Sequence, residues 1–260
     1  MRWIAREARH GWPARKVGLT RLVVPLDPWR YYELGRIADE TFSGICLDVS
    51  SPKLLPSLLQ REGAGRWVCI DLFADEIAAW RTVDPALELD VQDATALSFA
   101  DGTFDNCMCV SVLEHVGKGK DRDALAEIWR VLKPGGVLHL TTDVEAAPRD
   151  VFVTEKVYGE ASRSVAGEGV FFKHAYGTAE VEELIANKPW RVRHREYAVQ
   201  RKPGIERWFY AHAPWSYVAG PFLRFACAEN FDVRPTSVLV DHAGEGVVYL
   251  QLEKPDESVT

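Results

Sequence analysis

No stretch of this 260-residue chain approaches the roughly 18 consecutive apolar residues of a membrane-spanning helix, so no membrane span is expected. The opening residues also lack the apolar core of a signal peptide. Basic residues are in deficit, 31 against 38 acidic ones, and the net charge of −7 is opposite in sign to the footprint of a nucleic-acid binder. No nucleic-acid partner is therefore expected. No Gly-x-Gly-x-x-Gly follows any apolar run, which removes the signature of a dinucleotide-dependent dehydrogenase. Cysteines number only five, an odd count, and Cys46, Cys69, Cys107 and Cys109 fall inside apolar runs. They read as reduced thiols serving as small core residues, which implies a cytoplasmic setting. Cys107 and Cys109 point to one side of a strand, yet no second ligand pair accompanies them, and no metal site is expected.

What the chain does have is a hydrophobic share of 47%, enough for a packed core, in a length that suits one domain with insertions. Short apolar runs at 44–49 (GICLDV), 66–72 (RWVCIDL), 87–91 and 104–110 read as strands. After the fourth run, Leu125, Ile128, Trp129 and Leu132 recur at i, i+3, i+4 and i+7 and predict an amphipathic helix. Lys133-Pro134-Gly135-Gly136 ends that helix and turns the chain into the apolar strand Val137–Leu140. Strands alternating with helices predict an α/β fold, a doubly wound, mostly parallel sheet with helices on both faces.

Residues 1–42 form a lead-in, with a basic arm (Arg2, Arg6, Arg9, Arg15, Lys16) and an aromatic patch at Trp29, Tyr31 and Tyr32. Residues 43–260 are expected to be a single domain with two insertions. Residues 145–178, with four glycines and little periodicity, predict a long irregular segment. Residues 205–227 are dense in aromatics, among them Trp208, Trp215 and Phe222. These suit an apolar acceptor pocket or the interface of a homodimer, since both use such residues. A helix is expected at 179–187 and strands at 191–199 and 246–253.

The phrase FD…VLEHV…LKPGG, together with Asp93-Ala94 ahead of Leu97-Ser98-Phe99 and Asp101-Gly102, resembles class I S-adenosylmethionine-dependent methyltransferases, most of all their small-molecule branch. The resemblance runs from about Gly44 to Val144, and more faintly to the C-terminus, where the closing strands match the reversed last strand of that family's sheet. It implies S-adenosylmethionine as cofactor and a small-molecule methyl acceptor as partner. By resemblance Asp93 meets the adenine amino group and Ala94 presents backbone to the ring. Asp71 ends the second strand 23 residues after Asp48, close to the roughly 20 that brings a carboxylate to ribose hydroxyls. Asp48, Leu72 and Ser111 complete the cofactor-binding set that the resemblance implies.

The chain departs from the family at one place. The glycine loop expected after Asp48 is replaced by Ser50-Ser51-Pro52-Lys53-Leu54. Glycine serves there because it lets backbone approach a ligand and takes positive φ. Ser50 or Ser51 is expected to face the cofactor's amino-acid end, standing in for the lost backbone contacts. A helix capped by Ser51 with Pro52 at its first position competes with one that begins at Pro56, because Pro56 inside a helix clashes with the preceding turn. His115, just beyond the fourth strand, is the candidate general base. No Asn-Pro-Pro-Tyr, Asp-Pro-Pro-Tyr or Pro-Cys motif is present, which disfavours methylation of adenine, glutamine or pyrimidine C5. The function expected is methylation of a small molecule or biosynthetic intermediate. The alternative is a methyltransferase-like partner or regulatory subunit without catalysis.

Overall fold

The computed structural model describes residues 28–256 apart from residue 118, residues 154–168 and 235–244, and several positions between 203 and 228. α1 (Pro28–Ala38) precedes the sheet. β1 (Ile45–Val49), α2 (Leu54–Arg61), β2 (Arg66–Asp71), α3 (Ala74–Val83) and β3 (Glu88–Val91) build the first half, and β4 (Phe104–Val110), α4 (Lys120–Val131) and β5 (Leu132–Glu145) the second. Then come β6 (Arg149–Val153), β7 (Val170–Ala175), α5 (Thr178–Ile185), β8 (Arg191–Gln200), β9 (Phe231–Arg234) and β10 (Glu245–Glu253).

Among the described residues the main sheet has eight strands in the order β3-β2-β1-β4-β5-β10-β8-β9. β3, β2, β1, β4 and β5 are parallel, while β10 runs antiparallel to both β5 and β8. The last strand is thus reversed. The chain winds outward from β1 to β3, then returns to β4 on the other side. The carboxyl ends of β1 and β4 therefore flank the switch point where open α/β sheets bind ligands.

Alternate residues of each strand feed two cores. Leu47, Val49, Val68, Ile70, Cys107, Cys109, Leu138 and Leu140 pack with Leu125, Ile128, Val181 and Leu184 beneath α4 and α5. Cys46, Trp67, Cys69, Met108 and Tyr249 face the other way, against Ile37, Leu55, Leu59 and Ile77 from α1, α2 and α3. Both faces being covered is why these strands read as continuous apolar runs. The predicted stripe of α4 is buried at Leu125 and Ile128, and Trp129 packs edge-on against Trp190 at 4.6 Å. Cys46, Cys69, Cys107 and Cys109 are free and buried; Cys227 lies outside the described residues.

Three elements differ from the sequence-based expectation. The lead-in contains α1, whose Ile37 is fully buried; the basic arm lies outside the described residues. Within 145–178, β6 and β7 pair antiparallel as a separate two-stranded sheet. Their side chains are mostly half-buried, so no clean alternation marks them. The helix after β1 starts at Leu54, between the two anticipated starts. Pro56 then takes the third helical position, where its missing N–H is one of the donors a helix leaves unpaired anyway. In 205–227, Trp215–Ala219 forms a 3-10 turn with Trp215 84% exposed. Phe209, Tyr210 and Phe225 lie outside the described residues.

Candidate functional site

The parallel strands bring the candidate residues to one edge. Val49 pairs with Ile70 and Asp48 with Cys69, so Asp48 enters the site from just inside β1 while Asp71 terminates β2 beside it. Leu72 follows with its side chain 47% exposed, whereas Ala94, beyond β3, is buried. Asp93 is an exposed turn carboxylate whose Oδ1 accepts from the Thr95 N–H at 2.9 Å and the Thr95 hydroxyl at 2.8 Å.

The altered loop is tightly organised. Ser50 has φ +52 and Ser111, at the end of β4, has φ +50. Both flank the switch point in the left-handed region that glycine takes more readily. The Ser51 hydroxyl is buried between the strands: it accepts from Val110 N–H at 2.9 Å and lies 3.4 Å from the Val49 carbonyl. It ties β1 to β4, which differs from the expected role facing a cofactor tail. Ser50 is half-buried, with its N–H bonded to the Ile70 carbonyl at 3.0 Å.

Lys53 gives no site signal in the sequence, where a lone loop lysine reads as a solvated charge. In the structure it is 1% exposed. Its Nζ lies 3.1 Å from Asp48 Oδ2 and 3.1 Å from Asp71 Oδ2, and donates to the Ser51 carbonyl at 2.9 Å. Among the described residues neither Asp48 oxygen receives an aligned hydrogen bond, so its contact with Lys53 is an ion pair. Burial raises the Asp48 pKa to about 6 in spite of Lys53. Asp71 is engaged at both oxygens, because Oδ1 accepts the Phe73 N–H at 3.1 Å on the turn into α3.

At the ends of β4 and β5 a second group converges. Glu33 of α1 is fully buried and accepts from Thr141 Oγ1 at 2.7 Å, from Arg30 Nη1 at 2.6 Å and from the Ser111 hydroxyl. Burial raises its pKa against these three donors. Glu114 is buried with Thr142 Oγ1 donating to it at 2.9 Å, and burial and then Asp143 raise its pKa. Lys173 pairs with Asp143 at 2.6 Å. His115 lies in the 3-10 turn after β4, its Nδ1 2.7 Å from the Phe172 carbonyl. A carbonyl accepts only, so Nδ1 carries the proton and Nε2 the lone pair. Burial lowers the His115 pKa and favours the neutral ring. The sequence missed Glu33, whose partner Thr141 is 108 positions away.

Among the described residues no group of His, Cys, Asp and Glu could hold a metal ion, and no helix is long and apolar enough to cross a membrane.

Residues 47–140 match the model of a methyltransferase domain. No curated protein matches the chain in sequence. Solved structures share its fold. An S-adenosylmethionine-dependent methyltransferase from Methanosarcina mazei is 15% identical at a TM-score of 0.54, with 87% of this chain and 99% of that one covered. The [4+2]-cyclase SpnF is 18% identical at 0.52, over 86% and 80% of the two chains. A phosphoethanolamine N-methyltransferase from Haemonchus contortus, in complex with S-adenosylmethionine, is 14% identical at 0.52, over 88% of this chain and 52% of that one.

Proposed function

We propose that this chain, whose residues 47–140 match the model of a methyltransferase domain, is a class I methyltransferase that transfers a methyl group from S-adenosylmethionine to a small-molecule acceptor. The observation that carries the reading is the meeting of Asp71 with Asp48 at the carboxyl edge of the parallel strands, beside the switch point. In this reading Asp71 holds the ribose hydroxyls, Leu72 and Ala94 flank the adenine, and Asp93 takes its amino group. The half-exposed Leu72 and the turn carboxylate of Asp93 suit a nucleoside. The amino-acid end has less provision, since the Ser51 hydroxyl is already bonded within the protein. It falls to Ser50 and the backbone around Ser111.

When bound, the sulfonium supplies an activated methyl group and an excellent leaving group. The protein's work is then alignment and exclusion of water. Where the acceptor arrives protonated, neutral His115 takes its proton at Nε2, with the Phe172 carbonyl fixing the tautomer. Trp208, Trp215 and Phe222 would offer the acceptor an apolar surface, or else join two copies of the chain.

One observation favours the second reading, a partner or regulatory subunit without catalysis: Lys53 already engages both carboxylates. Calorimetric titration with S-adenosylmethionine and its demethylated product separates the two. Ligand at 100 times its Kd stabilises a binding-competent fold by about 2.7 kcal/mol. Asp71→Ala should abolish most of that gain. No heat and no thermal shift with the unaltered chain would rule for the partner subunit.

A further inference from the structure

Lysine is almost never fully buried unless paired, and the buried Lys53 is paired with two carboxylates. Its ammonium has three protons to donate and three oxygens within 3.1 Å: Asp48 Oδ2, Asp71 Oδ2 and the Ser51 carbonyl. Burial works against the charge, but Asp48 and then Asp71 hold its pKa above the ordinary lysine value. A protonated amine has no lone pair, which excludes service as a nucleophile or a base. Lys53 is therefore a cation seated on two strand-end carboxylates.

This inference rests on the reading that Asp71 binds ribose. Its Oδ1 is committed to the Phe73 N–H, part of the turn that starts α3. Its Oδ2 accepts from the Lys53 ammonium at 3.1 Å. A ribose hydroxyl that donates to Asp71 meets Lys53 as its competitor. We propose that Lys53 is an internal occupant of the nucleoside site, holding Asp71 until a ribose displaces it. The lysine can yield without losing its charge partner, because Asp48 is buried beside it and flanks the same ammonium. Displacement also stays local. Lys53 is the residue immediately before α2, the last of the loop residues Ser50, Ser51, Pro52 and Lys53 that lie between β1 and Leu54, and its side chain is long and flexible. The consequence is an affinity lowered by the fraction of molecules in which Lys53 holds Asp71.

The test compares the unaltered chain with Lys53→Met by calorimetry, using adenosine and the demethylated cofactor S-adenosylhomocysteine as probes. Both should bind the variant about tenfold more tightly, since both present the same ribose. Circular dichroism checks that the variant is folded. Should Lys53→Met fail to fold, Lys53→Gln keeps a donor for the Ser51 carbonyl without the charge, and a severalfold gain is expected. Equal affinities in variant and parent would overturn the competition while leaving the methyltransferase reading in place. Weaker binding by the variant would make Lys53 a ligand contact and also overturn it. A gain with S-adenosylhomocysteine but none with adenosine would move the competition to the amino-acid tail, against the ribose assignment. Binding of neither probe to either protein would end the methyltransferase reading and this inference with it.

Discussion

Glu33 accepts a hydrogen bond from Thr141 Oγ1 across 2.7 Å, which ties a helix preceding the sheet to a central strand 108 residues later. The same carboxylate takes the Ser111 hydroxyl and the Arg30 guanidinium. Glu33→Ala would strand three buried or half-buried donors at once. We expect it to cost roughly 3 kcal/mol in urea denaturation, the range found when one partner of a buried charged network is deleted. Glu33→Gln keeps an acceptor oxygen and should cost less than half as much. A loss below about 1 kcal/mol for the alanine variant would mean that α1 is held by its apolar face alone.

His139 of β5 predicts a pH dependence. The ring is buried beside Phe42 and within 2.9 Å of the Tyr249 hydroxyl. Burial lowers its pKa to about 4; nearby Glu40 pulls the other way, while Arg36 and Arg193 add to the lowering. A histidine with a depressed folded pKa keeps its stabilisation above its unfolded value near 6.5 and loses it as the pH falls toward 4. The full shift corresponds to about 3 kcal/mol as an upper bound. His139→Gln should therefore melt less steeply with falling pH than the parent between pH 6.5 and 4.5. Parallel curves in scanning calorimetry would show that His139 is protonated in the folded protein.

The fold was legible where one short stretch carried its own evidence. The stripe of Leu125, Ile128 and Trp129 marked α4, and the runs around Cys46, Cys69 and Cys107 marked strands buried on both sides. Legibility failed where structure depends on distant partners. α1 reads weakly because its Glu33 is a polar residue buried by Ser111 and Thr141. β6 and β7 are half-buried on both faces and show no period of two. In the site, Asp48 was singled out by resemblance and Asp71 by its spacing from Asp48, but Lys53 between them was not. Nothing local distinguishes a lysine that will be sealed by two carboxylates from one that points to water.

Gly44 gives a third expectation. It has φ +71 just before β1, and a Cβ there would overlap the Asp105 carboxylate. That carboxylate accepts the Ile45 N–H at 2.8 Å and the Lys133 ammonium at 2.8 Å. Gly44→Ala would combine backbone strain with displacement of this acceptor. We expect a loss of about 2 kcal/mol or more, since the left-handed region alone costs roughly 1 kcal/mol. Gly63→Ala is the control: its φ is +78 with open space around it, so only the backbone strain should appear. Equal losses in the two variants would show that Asp105 moves aside freely.

The Lys53–Asp71 contact should appear as an energetic coupling even without ligand. Asp71→Asn leaves Lys53 with Asp48 as its only carboxylate, and Lys53→Met leaves two acids with no cation between them. With both changes, Asp48 stands alone and its already raised pKa, about 6, lets it take up a proton instead of remaining a buried charge. The double variant should thus lose less than the sum of the single losses, by about 1 kcal/mol or more, as for residues in one buried network. The sign with pH follows from Asp48. A carboxylate whose folded pKa is raised contributes stability fully below its unfolded value near 3.8 and loses it as pH rises through the folded value. Removing Lys53 lifts that pKa further, so the deficit of Lys53→Met relative to the parent should widen from pH 5 to pH 8. Asp71, Cys69 and Ser51 face the same pair, and Asp71 opposes ionisation of Asp48 too. Asp71→Asn should accordingly shrink that widening. A deficit that is constant with pH, or strictly additive losses, would mean that the ammonium does not bridge the two carboxylates in solution.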